Sequence, residues 1–240
     1  MKKIFGNLLP TMGFGCAFLA VTAIASASTT YNLSVANCSG GGATVTATTI
    51  VWSPNGTAAN TGCIDSGIGT DVAYMGGTLL AGDAGNIMNL SAGTIPVDDF
   101  MTFAGTPLDF VLTGIGPGSG NTNCNLSSTN TTCSPFAGSP FILTFISANV
   151  TGVALGVNGT VADLAGPATW SGSFTTQLNL SGSAIQTVEG TGGAIASAQS
   201  GNFNVVVTPI SSTPEPSTTA MLLMGGGLIA IAYRRQRQPR

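Results

Sequence analysis

The sequence predicts an all-β fold, a single β-sandwich-like domain of antiparallel strands. Three features predict it. Apolar residues recur every second position in short runs across the middle of the chain. Threonine and serine fill the alternate positions, where they suit strands and weaken helices. Glycine, proline and asparagine divide the runs, in the spacing of a sandwich or barrel. Only the two ends break this pattern. They read as an N-terminal signal helix over 1–27 and a C-terminal transmembrane helix within 214–240, which leaves 28–213 as an exported β-rich body.

Met1-Lys2-Lys3 is a positive start, followed by a mostly apolar or small segment from Ile4 to Ala27 that is interrupted at Pro10. Ala25-Ser26-Ala27 is a small-x-small site, so cleavage is expected before Ser28. That is a secretory signal peptide, removed by signal peptidase. Cys16 lies deep in the apolar segment without the flanking residues of a lipidation site, and is expected to leave with the signal.

The first part of the body, Ser28 to Asn89, is rich in Gly and Asn and reads as a strand or two plus long loops. Within it, Val45, Ala47 and Thr49 alternate with threonines ahead of Ile50-Val51-Trp52. Met101-Thr102-Phe103 leads through a Gly-Pro turn into Leu108, Phe110 and Leu112. Gly114 to Asn121 reads as a mobile loop, and its proline and missing lysine weigh against a phosphate cradle. Phe141, Leu143 and Phe145 form the next run, with the Phe103 and Phe141 regions as candidates for pairing. Val153, Leu155 and Val157 follow, then Asn158-Gly159 as a turn signal before Val161. Trp170, Gly172 and Phe174 alternate with Ser and Thr. Ala184 to Glu189 is the one helical-looking stretch, ended by Gly190-Thr191-Gly192-Gly193. Phe203, Val205 and Val207 make the last strand.

The tail has three parts: Thr213-Pro214-Glu215-Pro216-Ser217-Thr218, an apolar run from Ala220 to Tyr233, and a basic end containing Arg234, Arg235 and Arg237. The prolines remove amide donors and fix φ, so they separate body from span. As a helix, Ser217 to Tyr233 spans roughly 25 Å, a short fit to a hydrocarbon core of about 30 Å. Gly225-Gly226-Gly227 weakens a helix in water, but lipid strongly favours backbone pairing. The arginines form a membrane stop on the cytoplasmic side, which places the body outside. A buried C-terminal helix is the alternative, and it leaves the arginines and prolines without a role.

This order of parts resembles the PEP-CTERM domain of Gram-negative bacteria that make exopolysaccharide. The resemblance implies export, recognition of the sorting motif Pro214, Glu215, Pro216 by an exosortase, and removal of the span. Exosortase is a membrane-embedded, cysteine transpeptidase-like enzyme. The resemblance thus implies a transient membrane anchor, then the cell surface or extracellular matrix. More loosely, the Phe103–Leu112 and Phe141–Phe145 segments resemble the β-rich bodies of other such proteins, which carry no assigned activity.

Charge narrows the function. All six basic residues lie in the two ends, the chain has no histidine, and the body carries eight Asp and Glu. Phosphate backbones need Lys or Arg, so nucleic acid is excluded as a partner. Solubility must come from hydroxyls, amides and a modest negative charge. Four cysteines remain in the body, Cys38, Cys63, Cys124 and Cys133. An even count in an exported chain suggests disulfides, and three connectivities are possible. Proximity favours Cys38–Cys63 and Cys124–Cys133. A zinc site lacks both the C-x2-C spacing and a histidine.

The body is expected not to be an enzyme. Triad and Cys–His chemistries need an imidazole, which is absent. Glycoside hydrolysis needs only two carboxylates, for which Asp98, Asp99, Asp109, Asp163 and Glu189 are the candidates. Adjacent Asp98 and Asp99 on a strand would point to opposite faces. Asp65, Asp71, Asp83, Asp98 and Asp99 are hard ligands suited to calcium, but none sits in a calcium-loop motif; no cofactor or bound metal is expected. The nine Asn-x-Ser/Thr triplets follow from composition. Two readings of the body remain: a non-catalytic structural component associated with exopolysaccharide, or a glycan-binding module or adhesin, calcium-stabilised, that uses Trp52 or Trp170.

Overall fold

The structure, a computed structural model, describes residues 28–208 apart from 163 and 165. The expected signal segment, the sorting tail and Asp163 lie outside the described residues. In chain order the elements are β1 (Thr29–Asn37), β2 (Gly42–Val45), β3 (Thr49–Ser53), β4 (Thr61–Ser66), β5 (Val72–Tyr74), β6 (Gly77–Leu79), β7 (Ala84–Met88) and β8 (Leu90–Ser91). Then come β9 (Val97–Phe103), β10 (Asp109–Ile115), β11 (Thr132–Cys133), β12 (Phe141–Ser147), β13 (Val150–Val161) and β14 (Ala168–Leu178). Helix α1 (Gly182–Gly190), β15 (Ile195–Ser197) and β16 (Ser200–Val207) complete the described part.

The all-β, antiparallel expectation holds, but the main sheet closes on itself instead of forming a sandwich. The order β10-β9-β7-β4-β1-β16-β14-β13 returns to its start through a β13–β10 pairing, Phe110↔Val161 to Ile115↔Val157. The length of β13 permits this. One edge pairs with β14 from Thr151 to Val161. The other edge is shared, with β12 on Val150–Leu155 and β10 on Val157–Val161. The result is a barrel with a two-strand flap, β12 and β11, continuing past the seam. A second sheet, β15-β2-β3-β8, packs its Ala43, Ile50, Trp52 and Leu90 into the same core.

Alternation puts every second residue of the barrel strands inside. β14 contributes Trp170 and Phe174, β16 contributes Phe203, Val205 and Val207, and β1 contributes Leu33 and Val35. Their rings touch in series. Trp52–Phe174 and Phe174–Phe203 are 5.1 Å apart, Phe203–Trp170 5.5 Å, and Trp170–Phe110 6.1 Å. Most meet edge to face, the geometry that aromatic quadrupoles favour.

The Asn158-Gly159 pair is not a turn. Both residues lie inside β13, and Gly159 pairs with Trp170. A Cβ at Gly159 would sit 1.8 Å from the Val111 carbonyl and 2.6 Å from the Trp170 indole nitrogen. Glycine is there to admit the indole. The Phe103 and Phe141 regions do not pair either: β9 lies between β7 and β10, and β12 between β11 and β13.

The first part of the body holds more strand than its composition suggested, β1 to β7. Its strands were hard to read because glycines replace apolar residues on their inner faces. Gly62 lies against Trp52, and Gly85 against the ring of Phe103. At β9 the pairing shifts between Phe110 and Leu112, and Asp99 has φ of 51°. This bulge buries both Phe100 and Met101 and leaves Asp98 and Asp99 both exposed, not on opposite faces. The expected mobile loop after β10 is pinned: Ser119 N donates to Ser134 Oγ at 2.6 Å, and Ser134 Oγ donates to Phe141 O at 2.8 Å.

Gly159→Ala should lower stability by about 3 kcal/mol or more, because the added methyl overlaps backbone and indole. Gly120→Ala, with nothing within 4 Å of its added Cβ, should change stability by less than about 0.5 kcal/mol. Urea unfolding followed by tryptophan fluorescence measures both.

Candidate functional site

The four body cysteines form two bonds, Cys38–Cys63 and Cys124–Cys133, with Cα separations of 5.6 and 5.3 Å. The first joins the end of β1 to β4. The second closes the segment between β10 and β12, and both of its sulfur-bearing residues are buried with Leu143, Leu178 and Ile185 in a small second core. Each loop closure contributes roughly 3 kcal/mol in the chain-entropy picture.

That second core seats α1. Ser181 caps the helix, its Oγ accepting from Ala184 N at 3.2 Å. Gln186 Nε2 donates to Thr122 O at 2.8 Å and Pro135 O at 2.9 Å, which flank the loop closed by the disulfide on either side. Gly182 meets the Cys124 carbonyl so closely that a Cβ would lie 2.8 Å from it. Helix spacing then turns Glu189 inward on the side of Ile185, and Glu189 is only 5 % exposed. Burial pushes its carboxyl above the ordinary value of 4.5. Its Oε2 has no hydrogen-bond partner, and the same holds for Nε2 of Gln199. Both line one apolar recess with Phe141, Phe174 and Ile195. Sequence reading named Glu189 only as one carboxylate among several. Its burial was signalled by the Ile185-to-Glu189 interval, one turn of helix.

The other carboxylates are arranged differently. Asp109 on β10 meets Asp99 from the β9 bulge. Burial first, and the Asp99 carboxylate second, push the Asp109 carboxyl upward. The Asp99 carboxylate lies close enough to raise Asp109, Asp109 Oδ1 is buried without a hydrogen-bond partner, and hydrolysis of a glycoside needs its two carboxyl groups about 5–10 Å apart around the sugar. Two calcium candidates accept backbone amides: Asp71 Oδ1 from Asn32 N of β1 at 2.7 Å, and Asp83 Oδ2 from Leu80 N at 2.9 Å. Asp65 lies beside Cys38 and Cys63, but those sulfurs are bonded to each other and supply no thiolate.

Neither tryptophan is available to a sugar ring. Trp52 and Trp170 are each 1 % exposed. Trp52 Nε1 donates to Met88 O at 2.9 Å, and Trp170 Nε1 to Val111 O at 3.1 Å and Thr160 O at 3.0 Å. What the barrel does present is an uncharged polar face. Rows run across three strands in register: Ser171, Asn204 and Asn32, then Ser173, Asn202 and Ser34.

The predicted sorting residues Pro214, Glu215 and Pro216, the stop arginines Arg234, Arg235 and Arg237, and the cleavage residues Ala25 and Ala27 lie outside the described residues; Ser28 is the first described residue and is exposed. No helix among the described residues is long and apolar enough to cross a membrane. Residues 212–237 match the family model described as the PEP-CTERM protein-sorting motif. No curated protein and no solved structure matches the chain. The chain therefore carries a PEP-CTERM sorting motif, as substrates of exosortase do, and that motif implies export and sorting to the cell surface.

A raised carboxyl holds its proton in the folded chain at pH values where the unfolded chain has lost it. The stabilisation Glu189 gives is therefore complete below 4.5 and is lost as pH rises through its folded value. Thermal melts from about pH 4 to about pH 8 should show stability declining with pH. Glu189→Gln should flatten that decline without abolishing it, because Asp109 is shifted in the same direction.

Proposed function

We propose that this is an exported surface or matrix protein whose barrel is a non-catalytic structural cargo, delivered by the PEP-CTERM tail and associated with exopolysaccharide. The order of events in this reading is signal-peptidase cleavage, transient anchoring through the C-terminal helix, exosortase processing and release. The observation that carries it is the match of residues 212–237 to the sorting motif, joined to a body without Lys, Arg or His.

The chemistry of the barrel surface supports the association. A polysaccharide matrix is a hydrated network of hydroxyls, with carboxylates in its acidic forms. A body lacking cations has nothing to bind such carboxylates tightly. Its serine and asparagine rows exchange hydrogen bonds with hydroxyls and water on nearly equal terms, and such exchanges contribute little net free energy each. A protein of this kind sits within a matrix without cross-linking it through charge. The glycan-binding alternative relied on Trp52 or Trp170, and both are core residues.

Replacing Pro214, Glu215 and Pro216 together by alanine should leave the protein in the membrane fraction with its tail attached. The unaltered chain should appear outside the cells, shortened at both ends and carrying two disulfides. Intact mass of both fractions checks this. A native protein that keeps its full mass in the cytosol overturns the reading. On the organism's own exopolysaccharide the body should be retained without saturation, and chelator should not change that. Saturable retention would favour a binding module.

A further inference from the structure

Glu189 is the only ionisable side chain in the wall of the apolar recess at the end of the barrel. Helix α1 bounds that recess on one side. Ile50 and Ile195 of the second sheet and Phe141, Leu155 and Phe174 of β12, β13 and β14 bound it on the others. Nothing charged answers the carboxyl from these elements, because none of their wall residues titrates and residues 28–208 contain no Lys, Arg or His. Glu189 is 5 % exposed, and its Oε2 has no hydrogen-bond partner. The polar side chains of the wall, Thr175, Thr176, Ser197 and Gln199, make no bond to that oxygen, and Thr176 Oγ1 donates instead to Ala198 O at 2.5 Å.

A carboxyl in such a place is tolerated with its proton and is costly without it. The recess offers about 40 Å³ to the centres of water-sized molecules. At about 10–15 Å³ for each water on that measure, it holds on the order of three, and each would need two to four polar partners in a mostly apolar wall. Position on the helix adds to the cost. Glu189 lies in the last turn of α1, which has no basic residue, and there the free carbonyls disfavour a negative charge. The ionised form therefore has no counter-charge, little water and an opposing dipole, and movement is its relief. The strands are fixed, since β13 is paired along both edges. Helix α1 is held at its middle, by Gln186 and by Ile185 in the small second core. Beyond Glu189 the chain continues as Gly190-Thr191-Gly192-Gly193, with Gly192 at φ of 73° and nothing within 4 Å of an added Cβ at Gly190 or Gly192. Glycines with that freedom supply a hinge.

We propose that Glu189 is a proton-operated latch: holding its proton it closes the last turn of α1 over the recess, and losing it to solvent it swings that turn out about the Gly190–Gly193 segment and opens the recess. One proton leaves for each opening, and no bond between heavy atoms forms or breaks. The chain is latched in acid and unlatches as the pH rises, because burial favours the protonated carboxyl. The latch goes beyond the sorting and matrix reading and is independent of it, since it uses no residue of the tail.

The test is amide hydrogen exchange on the protein recovered from the envelope or medium of the producing cells, from about pH 4 to about pH 9, with protection corrected for the intrinsic effect of pH on exchange. Protection at the amides of Val188 to Thr191 should fall as the pH rises above 4.5, by up to about tenfold per pH unit because one proton is linked to the opening, and level off above the folded value of Glu189. These amides should stay less protected than those of β13 and β14 at every pH, which marks a local opening. Glu189→Gln keeps the shape of the protonated acid and has no proton to lose, so the pH dependence of this segment should vanish. What remains from Asp109 should appear on β9 and β10. The fluorescence of Nile red, an uncharged dye for apolar surface, should rise with pH in the native protein and stay level in the variant. Should the variant not fold, the native profile decides alone. Three results overturn the proposal: protection at Val188 to Thr191 that is independent of pH, the same pH dependence in Glu189→Gln, or exchange of these amides in step with β13 and β14.

Discussion

The barrel depends on one hydrogen-bonded contact at its seam. Trp170 stands on β14, yet its indole nitrogen donates to the Val111 carbonyl on β10 and the Thr160 carbonyl on β13, at 3.1 and 3.0 Å. Those are the two strands whose pairing closes the sheet. A buried carbonyl left unpaired beside a bulge is costly, and the bulge between Leu112 and Gly114 loosens the ladder near this point. The indole supplies a donor there and fills the interior as well. Gly159 makes the space for it, so one glycine and one tryptophan on paired strands settle where the sheet joins itself.

The second constraint is the missing cation. In most domains a buried or crowded carboxylate is answered by Lys or Arg. Here it is answered by distance from water, by another carboxyl, or by backbone amides. Asp71 and Asp83 take amide donors. Asp109 is pushed upward by its own burial first and by the nearby Asp99 carboxylate second. Glu189 goes inside with a raised carboxyl. The composition thus drives the acidic groups toward neutrality wherever they leave the surface, and this gives the interior of an acidic chain an uncharged character. The same absence leaves the outer face of β14, β16 and β1 uncharged, with hydroxyls and amides beside Val206 and Ala36.

Legibility in the sequence followed side-chain size. Strands whose inner faces carry large apolar residues were clear: Phe110 and Leu112, Leu155 and Val157, Trp170 and Phe174, Phe203 and Val205. Strands whose inner faces include Gly62 or Gly85 were not, because the residues those glycines face come from elsewhere in the chain, Trp52 and Phe103. The same physics explains Asn158-Gly159. A turn signal and a glycine that receives an indole look identical until the facing residue is known. Disulfide pairing could be read from proximity, since closing short loops loses the least chain entropy. Closure of the barrel could not, because it rests on the shared edge of β13. Of the recess, helix α1 was visible locally as the stretch from Ala184 to Glu189, but its capping Ser181 was not read, and Gln199 belongs to it only through the β15–β16 connection.

Cys38–Cys63 ties the end of β1 to its ring neighbour β4, whereas Cys124–Cys133 sits where the barrel's own cohesion ends. Strands inside the ring have partners on both edges and an aromatic interior. The segment from Gly116 to Thr131 has neither, and only the two-residue β11 follows it. Cys124–Cys133 turns that segment into a platform, where the Gln186 side chain of α1 donates to the carbonyls of Thr122 and Pro135 and Gly182 lies against the Cys124 carbonyl. Ser134 N donates to Asn121 O at 2.8 Å and Asn121 Nδ2 to Thr132 O at 2.9 Å, so the disulfide and these hydrogen bonds together position the carbonyls that Gln186 meets. Glu189 lies one turn beyond Ile185 on the same helix, so its position is inherited from the platform. The covalent link therefore acts at a distance of several residues: it fixes a loop, the loop fixes a helix, and the helix holds a buried carboxyl against the end of the barrel.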